Sequence, residues 1–181
     1  MKFIRFEIPD VVMIEPAVHK DSRGIFLEAY REDLFHANGI REGFVQDNQS
    51  RSAKGVLRGL HYQVPPRAQA KLIRVTRGEI FDVALDIRRS SPTFGKSVSA
   101  VLNEENQKTL YIPAGFAHGF CALRDGTEVI YKVSDFYSPD HDRGILWSDP
   151  ALGISWPRLD RPYALSEKDK RHPPFKQAEV F

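Results

Sequence analysis

The chain has 181 residues, 41% hydrophobic and 28% charged, with 26 basic side chains against 24 acidic ones and a formal net charge of +2. That is the size and balance of a single domain spanning 1–181. It excludes a collagen-like chain, gives no support for a long disordered tail, and contains no Lys/Arg block for a nucleic-acid arm. A lone cysteine, Cys121, excludes an internal disulfide framework, the start MKFIRFEIPD lacks a signal peptide's apolar core, and no run nears the roughly eighteen apolar residues of a membrane span, so a soluble, cytoplasmic protein is expected.

From Val11 to Val133, short β-branched and aromatic runs alternate with Gly, Pro, Asn, Asp and Ser about every ten residues, the pattern of a sandwich or barrel. In chain order the spacing predicts strands over Gly24–Tyr30, Val56–Val64, Lys71–Thr76, Glu79–Ile87, Gly95–Leu102, Thr109–Ile112 and Thr127–Tyr137, enough to close a barrel. The clearest is Glu79–Ile87, with Phe81, Val83, Leu85 and Ile87 on a face that packs and Asp82, Ala84 and Asp86 on a face that carries acids. Helical periodicity is confined to Arg31–Ala37, ahead of an Asn38-Gly39 stop, and to a short turn from Ser166. After Tyr137 the Pro-, Gly- and Asp-rich segment reads as an ordered wrap, pinned by Trp147 and Trp156. The fold class is mainly β.

Chemistry-bearing residues fall in a few segments. In Val56-Leu-Arg-Gly-Leu-His-Tyr-Gln63, alternation puts His61 and Gln63 on one strand face and Leu60 and Tyr62 on the other. Read by itself, a lone strand histidine is more often a surface or hydrogen-bonded structural residue than a catalyst. Strict alternation sends Arg58 to the face opposite His61, unless Gly59 carries a bulge that re-aims the arginine. Lys71 shares a face with Ile73 and Val75; it either snorkels from a strand end or is a fixed cation for a developing oxyanion.

Other segments are ambiguous alone. Asp21-Ser-Arg-Gly-Ile-Phe-Leu-Glu28 offers Phe26 for stacking, Glu28 for hydrogen bonding and Arg23 for phosphate, or is simply a hairpin with a solvated charge pair. Tyr131 and Tyr137 share a nominal strand face, where tyrosines are usually packing. Ser166 and Asp169 have the spacing of a capping box, which alone accounts for Asp169.

The run Tyr111-Ile-Pro-Ala-Gly-Phe-Ala-His-Gly-Phe120 contains Pro-x-Gly-x-x-His and resembles the second motif of the cupin superfamily of double-stranded β-helix, jelly-roll barrels. In metal-binding cupins that histidine, here His118, joins a His-x-His pair and a carboxylate. This chain has His61-Tyr62-Gln63 instead, with Lys71 where a carboxylate would be sought. Two histidines beside a cation are a poor set for a divalent ion, so no metal is expected.

Taken in order, Asp21-Ser-Arg-Gly-x-Phe-x-Glu28, Val56–Gln63, Asp82-Val-Ala-Leu-Asp-Ile-Arg88, Ser91-Pro-Thr-Phe-Gly95, Ile112–Phe120, Trp147-Ser-Asp-Pro150, Ile154-Ser-Trp-Pro157 and Leu165-Ser-Glu-Lys-Asp169 resemble the cupin-like nucleotide-sugar epimerases of the dTDP-4-dehydrorhamnose 3,5-epimerase family, over almost the whole chain. The resemblance implies His61 as general base, Asp169 as its orienting partner, Lys71 as enolate stabiliser and Tyr131 as acid on the opposite face. It assigns Arg23, Phe26, Glu28, Gln46, Asn48, Arg58, His118 and Lys168 to the nucleotide, diphosphate or sugar. The implied reaction inverts C3 and C5 of dTDP-4-dehydro-6-deoxy-D-glucose, with no cofactor. C3-only epimerisation, or epimerisation of another nucleotide 4-keto sugar, is the alternative within the family. Outside it stand a metal-dependent cupin enzyme and a non-catalytic sugar-nucleotide binding module. The resemblance further implies a homodimer in which an N-terminal strand crosses over, so that Phe26 and Glu28 serve the neighbouring site.

Overall fold

The computed structural model describes residues 1–181. In chain order it contains β1 (Lys2–Arg5), β2 (Val12–Glu15), β3 (Val18–Asp21), β4 (Gly24–Leu27), α1 (Glu32–Ala37), β5 (Gln46–Ser52), β6 (Leu57–Gln63), β7 (Lys71–Arg77), β8 (Glu79–Asp86), β9 (Ser97–Asn103), β10 (Thr109–Ile112), β11 (Phe116–Ala122), β12 (Thr127–Val133) and β13 (Asp142–Gly144). Short 3-10 turns punctuate the segment after β12. None of its helices is long and apolar enough to cross a membrane.

The strands form a six-stranded sheet, β1-β2-β10-β7-β12-β5, a five-stranded sheet, β13-β6-β11-β8-β9, and a separate hairpin, β3-β4. This is the mainly β, cupin-like jelly roll that the sequence predicts. It departs from the expectation in one respect, because no hydrogen-bonded ladder joins the two large sheets into a closed barrel. They close by packing instead. Ile73, Val75, Leu110, Ile112 and Val129 of one sheet meet Ile80, Val98, Leu102, Phe116 and Phe120 of the other in a buried layer. Each such side chain contributes about 1.5–3 kcal/mol on burial.

The outer faces are covered as well. On the six-stranded sheet, Val12, Ile14, Leu72 and Tyr111 receive Phe35 of α1, whose ring Phe3 and Tyr30 meet edge-on. On the five-stranded sheet, Leu60, Tyr62, Val83 and Leu85 lie under Ile145, Leu152 and Trp156 of the wrap. Trp156 donates its indole N–H to the Trp147 carbonyl at 2.9 Å and meets Phe81 edge-on, so the two tryptophans pin the segment as expected. This double coverage extends the reading of β8, both of whose faces pack: Asp82 and Asp86 on its acid face are fully buried, facing the layer between the sheets. Asp86 is satisfied by Arg88, Ser91 and Thr93, and Asp82 by His118.

β6 carries the bulge anticipated at Gly59. His61 pairs with His118 and Arg58 with Phe120, so three steps on β6 oppose two on β11. The extra residue turns Arg58 onto the face of His61, and both line one cavity. Gly59 has φ +128°, and a Cβ there would lie 2.5 Å from the Gly119 Cα. Gly59→Ala is therefore expected to cost at least about 2 kcal/mol, read as a lower urea midpoint, because backbone and not a pliable side chain fills the space.

Candidate active site

At one end of the interior the packing gives way to polar groups. A cavity of about 260 Å³ is lined by Gln46, Asn48, His61, Lys71, Tyr131, Tyr137 and Asp142, among others. A deeper lobe of about 100 Å³ shares His61, Lys71 and Tyr131 and adds Ser50, Arg58, His118 and Phe120. His61 comes from β6 in the five-stranded sheet, whereas Lys71 and Tyr131 come from β7 and β12 in the facing sheet. The cavity thus separates an imidazole on one wall from a phenol on the other.

His61 Nε2 lies 2.5 Å from Asp169 Oδ1. Asp169 opens a 3-10 turn, and its other oxygen accepts from Ser166 Oγ at 2.7 Å while its own N–H donates to that hydroxyl at 3.1 Å. The capping arrangement and the histidine contact coexist, each using a different part of the residue. Burial alone would raise the Asp169 carboxyl. Hydrogen bonds with His61 and Ser166, and the approach of His172, overcome it and hold the group well below the usual carboxylate range. His61 is lowered, with burial outweighing the upward pull of Asp169. The imidazole is therefore neutral near neutrality, with a carboxylate fixing one ring nitrogen and no protein group bonded to the other.

Lys71 is 8% exposed and donates to the His61 carbonyl at 3.1 Å. Burial pushes its ammonium down to about 8, against the upward pull of Asp142 and Asp82. It does not snorkel: alternation along β7 places it with Ile73, whose side chain belongs to the layer between the sheets. Tyr131 pairs with Asn48 and Ile73 across its two neighbours, and burial raises its phenol, which keeps the proton in place.

The remaining predicted residues divide. Gln46 and Asn48 line the cavity and are bonded to each other at 2.9 Å. His118 faces the deeper lobe and is held by the Asp82 carboxylate at 3.0–3.1 Å. Arg58 reaches Ser52 Oγ at 3.4 Å. Lys168 stands outside the cavity lining, tied at 2.5 Å to Asp142, which does line it. Arg23, Phe26 and Glu28 are not brought to this cavity within one chain. Arg23 pairs with Asp21 on the β3-β4 hairpin, Glu28 lies 3.8 Å from Arg31, and Phe26 is 68% exposed.

Several cavity residues escaped the sequence reading, Ser50, Gln69, Tyr137 and Asp142 among them. Tyr137 is not packing: it is 56% exposed and overhangs the cavity, its hydroxyl donating to Asp142 at 3.1 Å. The strand predicted over Thr127–Tyr137 stops at Val133, which frees Tyr137 from the sheet, and no feature of the sequence marked that end. Asp142 had no signal either, being one acid among several in the wrap. The side-chain atoms of His61, Asp169 and His172 fall within 4.8 Å of one another. The carboxylate is already committed to Ser166 and His61, and the Lys71 ammonium opposes a divalent ion, so the donor set suits proton handling better than metal binding.

A cupin-type jelly roll whose cavity sets a carboxylate-held histidine against a tyrosine and a lysine defines a proton-transferring isomerase. The description of the dTDP-4-dehydrorhamnose 3,5-epimerase family matches residues 5–177, and the chain belongs to that family. It is 53% identical over 182 residues to the dTDP-4-dehydrorhamnose 3,5-epimerase of Pseudomonas aeruginosa, covering 100% of this chain and 99% of the relative. Among solved structures, the dTDP-6-deoxy-D-glucose-3,5-epimerase of Legionella pneumophila, in complex with dTDP-4-keto-L-rhamnose, superposes with a TM-score of 0.94 at 44% identity, covering 97% of this chain and 93% of that one. A 3'-monoepimerase from Streptomyces bikiniensis, in complex with dTDP-quinovose, gives 0.88 at 33% identity, covering 95% and 87%.

Proposed function

We propose that the protein inverts C3 and C5 of dTDP-4-dehydro-6-deoxy-D-glucose to give dTDP-4-dehydro-L-rhamnose. The observation that carries this reading is that His61 and Tyr131 stand on facing sheets across one cavity, with Lys71 between the same walls. In a 4-keto sugar the hydrogens at C3 and C5 both flank the carbonyl, so removing either leaves an enolate with its charge on the C4 oxygen. Inversion requires the proton to leave one face and a proton to arrive on the other. His61, its ring held by Asp169, takes the first, and Tyr131 supplies the second. The Lys71 ammonium stabilises the enolate oxygen in a site screened from water. His118, Arg58, Gln46 and Asn48 hold the sugar and diphosphate, with Lys168 acting through Asp142 at the rim.

Incubation with the nucleotide sugar in deuterium oxide with chelator present, followed by proton NMR, tests this. Label at both carbons in a rhamno product is expected. Label at C3 alone would give the mono-epimerase reading, which the shared fold of the Streptomyces 3'-monoepimerase keeps in view; the 53% identity to a 3,5-epimerase against 33% to that protein favours double inversion. No label would sink the reading. Tyr131→Phe should slow product formation by about a hundredfold while wash-out of substrate hydrogen continues; wash-out that remains tied one-to-one to product would remove Tyr131 as the acid.

The same reading makes the protein a homodimer. β1 is hydrogen-bonded to β2 of its own chain, so the arm that reaches across is the β3-β4 hairpin, which bonds to no other sheet and exposes Ile25 and Phe26. Arg23, Phe26 and Glu28 would then complete the partner's site. The buried, unpaired Cys121 is in keeping with a cytoplasmic enzyme.

A further inference from the structure

A second histidine faces the carboxylate that holds His61. The 3-10 turn Asp169–Arg171 brings His172 round so that its Nε2 lies 3.5 Å from Asp169 Oδ1, the same oxygen that meets His61. The two imidazoles approach edge to face, 5.4 Å between centres. The His172 side chain is only 8% exposed, and its Nε2 has no hydrogen-bond partner of ordinary geometry. A buried nitrogen left in that position needs a reason. The chain also makes room for the ring: Gly144, which pairs with His61 in the β13–β6 ladder, would carry a Cβ 2.3 Å from it.

We propose that His172 is a positioning residue for the catalytic base, presenting an N–H to Asp169 Oδ1 and so sharing the carboxylate with His61. This rests on the reading of His61 as the base. A carboxylate divided between two imidazoles is held in place from two sides and lends less negative charge to either. His61 then stays neutral, and free to accept a proton, further into the acid range than it would as the sole partner. The other charged or titratable groups facing the pair are Lys71 from β7, and Tyr62, Asp142, Arg143, Lys168, Arg171 and Glu179 around the groove that His172 lines. All remain in the variants below, so none accounts for a difference among them.

The test is the pH profile of kcat/KM for deuterium wash-in at C3 and C5, with three variants. In His172→Leu the acidic limb should move to higher pH, so that activity on the limb falls about threefold or more, and the plateau kcat should drop while KM stays within about twofold. Gly144→Ala, which displaces the ring without removing it, should reproduce the shift. His172→Gln, which keeps an N–H donor, should restore the wild-type limb. An unmoved limb in both His172→Leu and Gly144→Ala overturns the inference, as does a change in KM or melting temperature with the limb in place. If His172→Leu does not fold, the Gly144→Ala and His172→Gln profiles decide. Wash-in that survives in His61→Ala would instead overturn the base itself, and so separates the two failures.

Discussion

Replacing His61 by alanine is expected to slow deuterium wash-in at C3 and C5 by about a thousandfold, the scale of losing a positioned general base, while dTDP affinity stays within about twofold. The expectation follows from how the ring is held. Asp169 fixes one nitrogen, the other has no protein partner, and burial keeps the imidazole neutral, so the residue is built to accept a proton and contributes little that would bind nucleotide. The variant should still fold. Asp169 keeps its Ser166 hydrogen bond, and the loss of one charge-assisted partner costs about 1–3 kcal/mol, readable as a lower melting temperature. Turnover near the wild-type rate would remove His61 from its role, and a parallel collapse of dTDP binding would mean that the ring holds the substrate rather than acting on it.

What could be read in the sequence depended on whether a residue's neighbours constrain it locally. The β8 pattern was legible as a strand, but the meaning of its acid face was not, because a sheet buried on both sides carries its acids inward only when partners arrive from elsewhere. His118, from β11, and Thr93, beyond the strand's end, supply them here. β5 was missed for the converse reason. Its residues Gln46 to Ser52 are polar on both faces, so no hydrophobic alternation marks it, although Gln46, Asn48 and Ser50 point into the site. Gly59 was the most informative single position, since the bulge that joins Arg58 to His61 rests on the one residue type that tolerates its backbone and the approach of Gly119. The hairpin bearing Arg23, Phe26 and Glu28 shows the limit of a single chain: its segment was recognisable, yet its side chains do not line the cavity of this chain.

Lys71→Met should combine a large loss of activity with a gain in stability. Removing the cation that meets the enolate oxygen is expected to lower kcat by about a hundredfold to a thousandfold, the range seen when one preorganised oxyanion donor is removed. The ammonium is lowered from 10.5 to about 8 by burial, so folding at pH 7 carries a charged group held against its preference, at a cost of about 3 kcal/mol. Methionine has nearly the same shape and no charge, and should return much of that as a higher melting temperature at neutral pH. The pH dependence fixes the sign. The folded value lies below the unfolded one, so between about 8 and 10.5 the unfolded chain binds more protons and this group makes stability rise with pH; the methionine variant should lose that rise. Activity runs the other way. The charged form is present below about 8 and lost above it, so kcat/KM of the wild type should fall as pH rises through that value, and the residual activity of the variant should lack that alkaline limb. A methionine variant as active as the wild type would remove Lys71 from the chemistry, and one that is inactive but less stable would mean that the ammonium is held by contacts that repay its burial.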